Sequence, residues 1–90
     1  MPLHVINSPA ALCAALRAAI EGALPGAQVD VAAGSPGHFQ IRVTSEHFAG
    51  KSMVQQQQLV YSAIAHLMKG DDAPVHAIDR MQTFVPPSSR

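Results

Sequence analysis

The chain has 90 residues, 48% of them apolar and 13% charged, with a formal net charge of zero. A chain this short supports one small domain that buries roughly 60–65% of its unfolded surface around a thin core. The balanced charge excludes a strongly basic nucleic-acid footprint and an acidic solvating tail as bulk properties. The single cysteine, Cys13, excludes an internal disulfide framework and a cysteine-built zinc cage.

In chain order, Met1–Ser8 reads as neither a signal peptide nor a transit peptide. Ser8 is a good helix N-cap, and Pro9 suits the first helical position. Leu12, Leu16 and Ile20 recur every four residues on one face, with Cys13 beside them as a small apolar thiol. Gly22 and Pro25-Gly26 stop the helix. The run from Ala10 to Leu24 is interrupted by Arg17 and Glu21, too short and too polar to span a bilayer. The expectation is a soluble protein of a reducing compartment, the cytoplasm, with no membrane contact.

Val29 and Val31 alternate with Gln28 and Asp30, a short strand, and Ala33-Gly34-Ser35-Pro36-Gly37 is a turn by composition. His38 to Thr44 is the clearest strand: Phe39, Ile41 and Val43 face one way and His38, Gln40, Arg42 and Thr44 the other. The short connection predicts an antiparallel hairpin. Ser45 to Ala49 makes one helical turn halted at Gly50. Ser52 caps a long helix to about Lys69, with Met53, Gln57 or Val60, Ile64, Leu67 and Met68 inward and Lys69 in its last turn. Its Gln55–Gln58 run is one turn of neutral polar surface. Asp71 to Pro74 is loop, Val75 to Thr83 a last strand of weaker alternation, and 86–90 a flexible tail after a single domain over 1–85.

A helical crossover between the second and third strands favours a parallel pair. The predicted fold is α+β, in the order α-β-β-α-α-β, with a three-stranded mixed sheet and helices on one face.

The motifs carry little chemistry by themselves. Gly50-Lys51-Ser52 is the tail of a phosphate-binding loop, but Ser45 stands where the first glycine belongs. Gly34-Ser35-Pro36-Gly37 has the spacing of a KH backbone clamp, yet it joins two strands rather than two helices. No carboxylate pair and no Ser/His/Asp or Cys/His set is visible, so the chain reads as a non-enzyme. Of the five histidines, His4, His47 and His66 read as solvated surface. His38 and His76 differ, because each begins a strand and those strands are expected to be parallel. Parallel neighbours start at one edge of a sheet, about 4.8 Å apart. Two rim imidazoles are metal-ligand candidates, but a tetrahedral site needs four donors, so the rest must come from a partner.

Four segments in register carry a resemblance. Gly37 to Ser45 resembles the second strand of the BolA family; Phe48-Ala49-Gly50-Lys51-Ser52 resembles its F-x-G-K-S turn; Leu59-Val60-Tyr61 matches its L-V-Y; and Val75-His76-Ala77-Ile78 matches its V/I-H-A-L. The short loop before His38 looks most like the IbaG-type branch. The resemblance covers about Leu12 to Thr83. It implies a class II KH-like fold and a monothiol glutaredoxin partner. It also implies a [2Fe–2S] cluster shared with the glutaredoxin cysteine and a glutathione thiol. His76 matches the family's C-terminal ligand; the second is usually a His or Cys of the loop between the first two strands, but Ala32 to Gly37 holds neither, and His38 at the loop's end is the candidate nearby. Imidazole ligation raises the cluster potential, which suits transfer or sensing in iron homeostasis and stress response. There are departures too: Gln56-Gln57-Gln58 replaces a basic R-H-R, Arg80 replaces an aliphatic residue, which predicts a bulge or an edge in the last strand, and the Trp-containing C-terminal extension is missing.

Two other readings compete. One is a transcription regulator that binds nucleic acid through a helix-turn-helix-like segment 45–69, using Lys51, Ser52 and Arg42; zero net charge predicts weak DNA binding. The other is a homodimer paired along an exposed sheet edge.

Overall fold

The computed structural model describes residues 8–87. Helix α1 spans Pro9–Ala23, opened by Ser8, whose hydroxyl accepts from the Ala11 amide. Strands β1, Gln28–Ala33, and β2, His38–Thr44, form the expected antiparallel hairpin, with Val31 opposite Ile41. A 3₁₀ turn at Glu46–Phe48 buries Phe48 completely. Helix α2 spans Met53–Met68, and β3, Ala77–Phe84, lies parallel to β2. The sheet order is β1-β2-β3. The fold is therefore the predicted α+β arrangement, α-β-β-α-α-β with a mixed three-stranded sheet.

Alternation in the strands and the four-residue spacing in the helices converge on one core. Leu12, Leu16 and Ile20 of α1 and Val60 and Ile64 of α2 pack over Val29, Phe39, Ile41 and Val43 of the sheet. Both helices cover that face, which leaves Asp30, Gln40, Arg42 and Arg80 exposed on the other.

Four local expectations are corrected. Met53 is not an inward residue of α2; it is 56% exposed, with its Sδ 3.4 Å from Thr83 Oγ1 of the sheet. Gln56 takes the inner place instead. Its Nε2 donates to the carbonyls of Phe48 and Lys51, and its Oε1 accepts from the buried Thr83 hydroxyl at 2.7 Å. The glutamine run is thus not uniform surface: Gln55 closes a capping box with Ser52, and Gln56 ties the turn before α2 to β3. The helix ends one residue early, at Met68, because Lys69 already has an extended backbone. Strand pairing in β3 begins at Ala77 rather than Val75. Val75 is pulled into the core, and its amide donates to the Leu67 carbonyl at the end of α2.

Residue Arg80 is accommodated by both devices expected of it. β3 is an edge strand, and the register slips between Phe39 and Gln40. Phe39 pairs with Ile78 and Gln40 with Arg80, so Asp79 is the extra residue of a bulge. Of the expected tail, Ser88 to Arg90, like His4, lie outside the described residues.

Candidate metal centre

The site is built where the β1–β2 turn meets the entry to β3. The turn is closed by the Gly34 amide donating to the His38 carbonyl at 2.8 Å and the His38 amide donating to the Ser35 carbonyl at 2.9 Å. Gly37 sits at φ +80°, a conformation glycine adopts without a Cβ penalty. Its carbonyl accepts two amides from across the rim, His76 at 2.8 Å and Ala77 at 3.1 Å. The imidazole of His76 then packs directly on Gly37: a Cβ there would lie 2.8 Å from His76 Nδ1 and 2.9 Å from its Cγ. A glycine is needed at 37 twice, for its backbone angle and for the ring beside it.

The structure places both sequence-predicted histidines on this one rim, with different neighbours. His76 lines an apolar cleft of about 340 Å³ with Pro9, Leu12, Phe39 and Pro74. His38 stands on the helix-free side of the sheet, where its Nδ1 lies 2.9 Å from Asp79 Oδ1. Asp79 was not picked out from the sequence. The one signal for it was the broken alternation at Asp79-Arg80, which marks the bulge but not the contact. Gly37 was read only as a turn residue, since its packing on residue 76 is a tertiary contact.

Among the described residues no three donors are gathered that would hold a metal ion. The donor set is two imidazoles, which fits one side of a shared site completed from a partner and does not fit a resident mononuclear metal. His76 presents a part-exposed ring on a rigid glycine seat; His38 offers the nitrogen that Asp79 leaves free.

The nucleic-acid residues are not brought together. Arg42 lies on the outer sheet face, opposite Asp30 in register. Lys51 and Ser52 stand at the start of α2, in the helix layer, where the Ser52 hydroxyl is occupied by the Gln55 amide. Of the remaining histidines, His47 lies in a groove at the other end of the sheet, with Nε2 3.3 Å from the Pro25 carbonyl, and His66 is exposed in the last turn of α2. Within the described residues no helix is long and apolar enough to cross a membrane.

Comparison with known proteins agrees with this architecture. The family model described as BolA-like protein matches residues 21–86. BolA-like protein 1 of Mus musculus is 36% identical, the match covering 72% of this chain and 52% of that protein, so the chain spans about half the length of this curated relative. Among solved structures, the solution structure of BolA1 from Mus musculus has a TM-score of 0.65 at 33% identity, covering 83% of this chain and 65% of that one. A BolA homologue from Coxiella burnetii has a TM-score of 0.64 at 30% identity, covering 79% and 86% of the two chains. The chain belongs to the BolA-like protein family.

Proposed function

We propose that this chain is a non-enzymatic adaptor that pairs with a monothiol glutaredoxin and co-ligates a [2Fe–2S] cluster, in iron–sulfur trafficking or in iron and redox regulation. The observation that carries the reading is the seat of His76: its ring is packed on Gly37 at the sheet rim while its edge stays open to a partner. His76 is the first ligand and His38 the second. The thiolates of the glutaredoxin and of glutathione complete the set, in keeping with a reducing, cytoplasmic setting. When bound, the cluster supplies one-electron chemistry and a transferable cargo.

This chain's own residues do three things in that scheme. The Gly37 carbonyl fixes residues 76 and 77 against the hairpin. The cleft of Pro9, Leu12, Phe39 and Pro74 gives the partner an apolar surface to cover, which excludes water beside His76. The described residues that line the cleft beside His76 carry no formal charge, so none of them repels a thiolate.

Co-expression with a monothiol glutaredoxin and anaerobic purification test the reading by visible absorption and circular dichroism. The expected result is a coloured heterodimer whose spectrum changes in His76→Ala. A coloured complex with an unchanged spectrum in that variant overturns the assignment.

A further inference from the structure

We propose that Asp79 is the positioning residue that sets His38 for ligation, by holding the ring's Nδ1–H so that Nε2 is the nitrogen left to donate. The inference rests on the cluster reading above and adds a residue to it.

Two independent observations carry it. The first is the contact itself. A carboxylate accepts hydrogen bonds and cannot donate them, so the Nδ1 that faces Asp79 Oδ1 at 2.9 Å must carry the proton. In the neutral ring the lone pair is then on Nε2, at the outer end of the imidazole. Histidines that bind metals are commonly held this way, with the second nitrogen donating to a carboxylate that fixes tautomer and ring orientation. The second observation is the bulge. In an unbroken ladder residue 79 would pair with Gln40, one step along the face from His38. The slip between Phe39 and Gln40 makes Asp79 the unpaired extra residue, free to turn back to the rim. Bulges re-aim side chains next to functional sites, and this one aims a carboxylate at a candidate ligand.

A purely structural role accounts for the contact poorly. The two side chains are 38% and 50% exposed, and exposed pairs of this kind add little to folding. The two rings are therefore set by different means: His76 by a glycine seat and a backbone hydrogen bond, His38 by a side-chain carboxylate.

The test uses Asp79→Asn and Asp79→Ala in the full chain. Asparagine keeps the shape but offers a donor as well as an acceptor, so it no longer dictates the tautomer. Long-range ¹H–¹⁵N NMR on the cluster-free protein reads the His38 tautomer. Visible circular dichroism of the glutaredoxin complex under chelator challenge reads cluster retention. The expected result is an Nδ1–H ring in the parent chain, mixed tautomers in both variants, and cluster retention about 10- to 100-fold weaker. A parent ring protonated on Nε2 overturns the proposal. So does a complex that bleaches in His76→Ala while both Asp79 variants retain the cluster like the parent; the cluster reading then stands without Asp79. A parent complex that never colours removes the cluster reading and this inference together.

Discussion

Gly37 is the position where one methyl group has most to disturb. At φ +80° an added Cβ costs about 1–2 kcal/mol of backbone strain, and it arrives 2.8 Å from the His76 ring. The ring is the softer of the two partners and gives way. Gly37→Ala is therefore expected to lower stability by about 1–2 kcal/mol in urea unfolding. It should also shift the His76 ring resonances while leaving those of His47 in place. Unmoved His76 signals would show that the ring does not depend on this seat. At this scale the sequence was informative about which residues matter and silent on how they are held. His38 and His76 could be placed on one rim because strand order and parallel pairing follow from the length and helicity of the connection. Asp79 could not: the broken pattern at Arg80 pointed to a bulge or an edge, but not to which residue the slip would turn toward His38.

At the scale of elements, the joint between α2 and β3 is made by Gln56 and Thr83. The Thr83 hydroxyl is 5% exposed in residue terms and donates to Gln56 Oε1 at 2.7 Å. Removing only the acceptor leaves a buried hydroxyl short of a good partner, which costs about 1–3 kcal/mol; replacing both partners by apolar groups is close to neutral. Gln56→Ala is thus expected to lose about 1–3 kcal/mol, and the double variant with Thr83→Val to regain the part owed to the stranded hydroxyl but not the part owed to the Phe48 and Lys51 carbonyls, measured as shifts of the urea midpoint at constant slope. Additive losses in the double variant would argue against the joint. Element boundaries were legible wherever a stop signal coincided with a change of period, as at Ser8, at the Gly34–Gly37 turn and at Ser52. They failed where tertiary packing decided. Met53 fits the helical stripe, but Gln56, one turn on, is the residue that bonds buried Thr83, and Met53 stays 56% exposed. Val75 fits a strand, but it closes the end of α2 instead.

For the molecule as a whole, the few charges are scattered rather than gathered. Arg42 faces away from the helices and is paired in register with Asp30, while Lys51 belongs to the helix layer. The two cations thus stand on different layers rather than in one patch. Any DNA binding is therefore expected to engage few phosphates, with log K falling against log salt at a slope of magnitude below about 2. A slope that reports six or more phosphate contacts would restore the nucleic-acid reading. The fold class was readable from element order, because a short hairpin followed by a helical crossover leaves few arrangements of three strands. The composition of the site was not, because the described residues gather only two imidazoles and no third donor.

His38 and His76, distant in sequence, hang from a single peptide plane. The group that joins Gly37 to His38 carries the carbonyl that holds the amide of His76 at one end and leads into the Cα of His38 at the other. The separation of their backbones is thus set by covalent geometry and one hydrogen bond, not by the length of either loop. When the hairpin tip moves, both imidazoles move with it, as two prongs on one handle. The backbones of residues 38 and 76 are thus tied together, while their side chains leave on different sides, His76 into the cleft with Pro9 and Leu12 and His38 on the helix-free face.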